Sequence, residues 1–220
     1  MLQLHYFPGN ASLIPHIVLE ELGVAFELKF VDRAVTAQKS ADYLALNPNG
    51  LIPVLVDSAA AGAASPLVLY ETLAVCLHLA DTHPAAGLLP PPGTAQRAQA
   101  YKRLVWLTNT LQAALIIYFY PERWADDAAA IAQVKAHAEA KIGTMLDQLD
   151  AEFARHGGSW LLGDEFGLAD IYAMVLCRWT RGFGRPARDL PHLKPWLDRM
   201  LERPATQRAF ATEKLPPPRV

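Results

Sequence analysis

The chain has 220 residues, 52% of them hydrophobic, with 20 basic against 22 acidic side chains and a net charge of −2. That supplies enough apolar material for one large packed domain or two small ones, excludes a disordered chain, and lacks the basic footprint of a nucleic-acid binder. No apolar run approaches the roughly 20 residues of a membrane span.

Leu2, Leu4 and Tyr6 alternate with Gln3 and His5, the period of a half-buried strand. Pro8-Gly9-Asn10 breaks that strand, and Ser12 stands where a helix N-cap would sit. Ile14, Ile17, Val18 and Leu22 then repeat at helical spacing until Gly23. A hydroxyl at the mouth of a helix has two readings. It caps the helix, or it stands among unpaired N–H groups where negative charge is favoured. Phe26 to Asp32 reads as a second strand, and Tyr43, Leu44 and Leu46 as a short helical turn after a polar stretch. Asn47-Pro48-Asn49-Gly50 is a turn signal. Leu51 to Val56 reads as a strand whose proline, Pro53, cannot donate to a central ladder and is suited to a cis peptide. Ser58 to Ser65 is an Ala/Gly loop tip, Leu67 to Leu69 a further strand, and Glu71-Thr72 opens a helix to about Asp81. The short connection makes the last two strands a hairpin, and the crossover helix makes the first two parallel.

Residues 83–93 are proline-rich and divide the chain, so the expected domains are 1–82 and 94–220 joined by a linker. The second part reads as all helix: about 95–119, 126–156, 168–179, 191–203 and 204–214, followed by a proline-rich tail. Cys76 and Cys177 fall within apolar helical patterns, as buried thiols in a reducing compartment do. The first residues lack a basic n-region and a long apolar core, so no signal peptide is expected and a cytoplasmic location follows.

An α/β domain, a proline linker and an all-helical domain together resemble the cytosolic glutathione transferases, whose first half is thioredoxin-like. The stretch Tyr6-Phe7-Pro8-Gly9-Asn10-Ala11-Ser12-Leu13-Ile14-Pro15-His16 resembles the start of the bacterial beta class. Asn47 to Leu55 is similar to the loop before that family's cis-proline, and Leu69-Tyr70-Glu71-Thr72 to its acidic-hydroxyl pair. Gly163 to Asp170 is similar to the cap of its central helix. One departure stands out, because Ala11 occupies the usual beta-class cysteine position while the neighbouring Ser12 matches the activating serine of theta- and delta-like relatives.

The resemblance implies glutathione as co-substrate and a role for each motif residue. Ser12 would stabilise the glutathione thiolate, with Tyr6 and Asn10 as reserve donors. The backbone of Ile52, before Pro53, would pair with the cysteinyl part like an added strand. Glu71 and Thr72 would hold the γ-glutamyl end, and Lys39 with Gln38 the glycine carboxylate. The plainer readings are core packing for Tyr6, a first-turn acid for Glu71, a cap for Thr72 and a solvated lysine for Lys39. The second substrate would lie between the domains, with Phe7, Asn109, Gln112, Tyr118 and Tyr120 as candidate walls, and Phe119 and Trp124 near them. Leu115 falls where the beta class offers a histidine. Asp170 would be structural, at the third position of a helix capped by Gly167, with Phe166 and Ile171 as a hydrophobic staple. Homodimers are usual in the family.

Other chemistries find no pattern. The histidines show no ligand spacing with cysteine, Gly182-Phe183-Gly184 is not a dinucleotide fingerprint, and no Gly-x-Ser-x-Gly elbow occurs. The expected function is transfer of the glutathione thiolate to a small apolar electrophile, without metal, nucleotide, nucleic acid or membrane. The alternatives are a glutathione-dependent disulfide or peroxide reductase and a non-catalytic ligand-binding protein of the same fold.

Overall fold

The alternation at the start of the chain forms strand β1 (Leu2–Tyr6), followed by α1 (Leu13–Leu22) and β2 (Phe26–Phe30). Next come α2 (Ala41–Leu46), β3 (Val54–Asp57), β4 (Leu67–Tyr70) and α3 (Thr72–Thr82). The computed structural model describes residues 1–220. The strands form one sheet in the order β2-β1-β3-β4. β1 and β2 are parallel, while β3 runs antiparallel to both β1 and β4. This is the mixed, thioredoxin-like sheet expected from the sequence. Leu4 and Leu55 sit opposite each other in its buried centre, under the fully buried Ile14, Ile17 and Val18 of α1.

Two strands are shorter than their apolar runs suggest. β2 ends at Phe30, where Val31 turns in to pack with Tyr43 and Val54. β3 begins only at Val54, because Pro53 brings no N–H to the ladder; the Ile52–Pro53 peptide is cis.

The chain divides into one unit of residues 1–88 with 203–216 and another of 89–202 with 217–220. The sequence boundary assigned everything after residue 94 to the helical domain. Yet α9 (Pro204–Thr212) returns to the first unit and packs on α1. Charge fixes it there. Arg203 holds Glu21 through two bonds of 2.6 and 2.8 Å, and Arg208 holds Glu20 at 2.5 Å.

The second unit contains α4 (Ala95–Trp106), α5 (Ala113–Phe119), α6 (Ala128–His156), α7 (Leu168–Trp179) and α8 (Leu193–Glu202). The Thr94 hydroxyl accepts the Arg97 N–H and the Asp127 carboxylate the Ala130 N–H, which sets the starts of α4 and α6. The unbroken helix expected over 95–119 contains a π-helical turn, Leu107–Gln112. Within it the Thr108 hydroxyl bonds back to the carbonyls of Leu104 (3.2 Å) and Val105 (3.0 Å), competition of the kind that loosens a helix. No helix is long and apolar enough to cross a membrane.

α7 is buried from Leu168 to Arg178 and forms the centre of this unit. At its start Asp170, 1% exposed, accepts the Gly167 N–H on Oδ2 at 3.0 Å. Its Oδ1 accepts the Leu161 N–H (2.8 Å) and the Trp196 Nε1–H (2.9 Å). Gly167 has no side chain to complete a reciprocal box, so the carboxylate alone joins the helix start, the preceding loop and α8. Phe166 stacks edge-on against Trp160. Asp170→Ala leaves three donors without their acceptor in the interior. It is expected to lower unfolding free energy by about 3 kcal/mol or more, measured by urea denaturation.

Candidate functional site

The polarity of the sheet gathers the candidate residues. β3 is antiparallel to β1, so the start of β3 lies at the end of β1; β4 is antiparallel to β3, so its end lies there too. The register pairs His5 with Val54 and Val54 with Tyr70. Continued by one residue, it brings the Phe7–Ser12 loop, Ile52–Pro53 and Glu71–Thr72 to one end of the sheet. The parallel strand β2 also ends there and leads into Gln38 and Lys39.

The first of these segments is tightly built. Asn10 N–H donates to Phe7 O (3.1 Å), and Leu13 N–H to Asn10 O (3.0 Å), while Gly9 turns the chain with φ of 69°. Ser12 departs from both of its sequence readings. It is 0% exposed; its hydroxyl donates to Phe7 O at 3.1 Å and accepts the Phe7 N–H at 3.2 Å. It makes no cap bond to α1. The hydroxyl expected to face a thiol is turned inward, where it satisfies the Phe7 N–H and shares the Phe7 carbonyl with the Asn10 N–H. Asn10 is the polar group left partly open in the loop. Its Oδ1 accepts the Ala11 N–H at 2.5 Å, which fixes the amide plane and leaves Nδ2 as a donor with no partner in the protein. Tyr6 packs edge-on against His16 and Phe30, the packing role weighed for it. Burial, then the nearby Glu213 carboxylate, pushes its phenol above the usual range, so it stays protonated.

Sequence reasoning missed Glu213. This buried carboxylate, 4% exposed, accepts the Gly9 N–H on Oε2 and meets His16 Nδ1 at Oε1, both at 2.7 Å. It thus grips the loop and α1 from a position 204 residues further along the chain. No spacing rule connects residues so far apart.

At the start of β3, Leu51 O accepts both the Tyr43 hydroxyl (2.9 Å) and Asn47 Nδ2 (2.8 Å), which fixes the chain just before Ile52. The N–H and C=O of Ile52 have no partner in the protein. Lys39 is exposed and its ammonium donates to Asn49 O at 3.0 Å. Gly50, with φ of 59°, is required here, since a Cβ would come within 2.6 Å of Lys39 Nζ and 2.8 Å of Gln38 O. Gln38 Oε1 is buried and unpaired. Glu71 has φ of 69°, which is strained for a residue with a Cβ, and its exposed carboxylate has no protein partner. Its carbonyl accepts the Val75 N–H and so begins α3, with Thr72 buried behind it.

Phe7 stacks on Phe30 at 5.9 Å, under the Arg33 guanidinium. The candidates in the helical unit separate into two places. Asn109 is exposed on the π-helical turn, and Gln112 Oε1 there accepts the Tyr172 hydroxyl at 2.6 Å. At the far end of α5, Tyr118 packs on Phe183 at 4.2 Å, Phe119 on Trp179, and Tyr120 lies under Arg123. These three are engaged by their own helix bundle and its turns. Leu115 is fully buried and presents nothing to a ligand. No group of three or more His, Cys, Asp or Glu side chains is arranged to hold a metal ion.

Residues 11–82 match the glutathione S-transferase N-terminal domain and residues 108–204 the C-terminal domain. The chain is 35% identical to glutathione S-transferase 3 of Zea mays over 99% of its own length and 96% of the relative's. It belongs to the glutathione S-transferase family. A glutathione transferase homologue from Sulfitobacter, solved with bound glutathione, shares 29% identity over 98% of this chain and 99% of that one, with a TM-score of 0.85. The disulfide-bond oxidoreductase YfcG of Escherichia coli is 27% identical over 98% of this chain and 97% of the relative's.

Unlike the usual beta-class loop, this family member carries no cysteine at the candidate site. Burial pushes the Cys177 thiol up to about 12 and that of Cys76 higher still. Both thiols are expected to stay silent toward an aromatic disulfide reagent at pH 8 in the folded protein and to titrate fully in denaturant. Glu213→Ala removes the carboxylate that accepts the Gly9 N–H and meets the buried His16 ring, and should lower stability by about 2–3 kcal/mol in the same urea assay used for Asp170.

Proposed function

We propose that this chain is a glutathione transferase that stabilises the thiolate of glutathione and directs it at a small, largely apolar electrophile. The observation that carries this reading is the convergence, at one end of the sheet, of three polar groups without protein partners. These are the Asn10 Nδ2 donor, the Ile52 peptide backbone and the Glu71 carboxylate. They match the three needs of a γ-glutamyl tripeptide: a donor for sulfur, a strand-like partner for the cysteinyl backbone, and an anion for the γ-glutamyl ammonium. Thr72 supports the γ-glutamyl carboxylate, and Lys39 with Gln38 the glycine end. The Sulfitobacter homologue's bound glutathione supports the same choice of ligand.

A free thiol with a pKa near 8.5 is only a few per cent ionised at neutral pH. Lowering that value by two units takes about 2.7 kcal/mol of preferential stabilisation of the anion. An amide donor held in one plane beside the start of α1 supplies it by hydrogen bonding and by the helix dipole. The thiolate lone pair then forms the carbon–sulfur bond as the leaving group departs with its electrons. In this reading Asn10 is the activating donor. Ser12 holds the loop beneath it, and Glu213 anchors the loop from the other side. Homodimeric assembly and a cytoplasmic location belong to the same reading.

Asn10→Ala is expected to lower kcat/KM with an aryl halide about a hundredfold at pH 6.5 and to move the ultraviolet thiolate band of bound glutathione to higher pH. Ser12→Ala should cost about 1–2 kcal/mol of stability while keeping most of the activity of the folded enzyme. The reverse ranking would return the catalytic role to Ser12. Glu71→Gln should raise the KM for glutathione with little change in kcat.

A second reading, glutathione-dependent disulfide reduction, is favoured by the likeness to YfcG combined with the absence of a cysteine in the loop. There Asn10 would steady the departing sulfur of a glutathione disulfide. Turnover of a small disulfide exceeding that of every aryl halide and epoxide tried would select it.

A further inference from the structure

The helical unit carries a groove with no part in the glutathione reading. It lies along α4 and α6 near the carboxyl end of α6, encloses about 440 Å³, and is lined chiefly by Lys102, Arg103, Glu152, Arg155, His156 and Leu162. Three cationic side chains face one carboxylate.

The pairing within the groove is uneven. Arg103, 8% exposed, gives its Nη2 to Glu152, which uses that carboxylate, and its Nε is buried without an acceptor. His156 Nδ1 accepts the Gly158 N–H at 2.9 Å, so in the neutral ring the proton sits on Nε2. That Nε2 is also buried without an acceptor. Lys102 and Arg155 are exposed at the rim and have no carboxylate partner. The unmet groups are therefore all donors, and the charge left uncompensated is that of two cations. Leu161 and Leu162 form an apolar wall beside them, with Leu162 40% exposed.

We propose that this groove binds a phosphate monoester that carries an apolar group. A monoester holds close to two negative charges at neutral pH and offers several acceptor oxygens, which suits the two exposed, unpaired cations Lys102 and Arg155. The apolar group rests on the leucine wall, and the groove is large enough for a small organic ligand.

Phenyl phosphate and inorganic phosphate serve as probes of the full-length protein, followed by calorimetry and by phosphorus NMR line width at fixed ionic strength. Phenyl phosphate is expected to bind with a Kd of about 1 mM or tighter, at least about tenfold tighter than inorganic phosphate. The Lys102→Ala/Arg155→Ala double variant changes two exposed side chains outside the glutathione-binding residues. It should weaken phenyl phosphate at least about tenfold while its glutathione-dependent turnover stays at the wild-type level. Equal affinity for the two probes, no measurable binding, or binding unaltered in the double variant would each overturn the proposal. Because neither probe involves glutathione, those results are independent of whether the transferase reading holds.

Discussion

Buried carboxylates set the terms on which this molecule holds together. A carboxylate taken out of water must be surrounded by donors, and the donors available inside a protein are mostly backbone N–H groups belonging to other segments. Glu213 gathers the Gly9 N–H and His16 in the first unit. Asp170 gathers the N–H groups of Leu161 and Gly167 and the Trp196 indole in the second. Asp150 accepts the N–H groups of His192 and Leu193 and faces His192 Nδ1. Burial alone would raise the Asp150 carboxyl, but the His192 ring and these N–H groups outweigh it and hold it below its ordinary range. Each carboxylate joins pieces of chain that hydrophobic burial would bring near one another but would not align.

The candidate site depends on that alignment. A loop of proline, glycine and asparagine is mobile by composition, yet here it is held from below by the Ser12 hydroxyl and from the far end of the chain by Glu213. Of the loop's two polar side chains, the buried Ser12 hydroxyl holds backbone and the half-exposed Asn10 amide keeps a donor free. A donor useful to an anion must be fixed before the anion arrives, since reorientation during binding would use up the stabilisation it provides. The bond from Ala11 N–H to Asn10 Oδ1 does that with one short contact.

The helical unit shows the same economy on a larger scale. α7 is so thoroughly buried that its position is decided by packing, whereas α4 and α6 present long solvated faces on which charge is unevenly matched. Where a cation finds a carboxylate, as Arg185 finds Asp147, the surface is electrically quiet. Along the groove at Lys102 and Arg155 it is not.

Much of the architecture was legible from local patterns. The alternation of Leu2, Leu4 and Tyr6, the Asn47–Gly50 turn and the apolar stripe of α6 each report physics acting over a few residues. So do the proline-rich boundary and the motifs that place the chain near the glutathione transferases. Element ends were less legible where one side chain intervenes, as Thr108 does in the long helix and Pro53 does at β3. The sequence by itself determined which elements form, in what order, and which short motifs lie at their ends. Only the tertiary structure decided that α9 closes back on α1, that the Ser12 hydroxyl faces inward while the Asn10 amide stays open, and that Glu213 holds the loop. Those outcomes depend on strand polarity and on the pairing of buried charges across as many as 204 residues, and neither leaves a periodic trace in the chain.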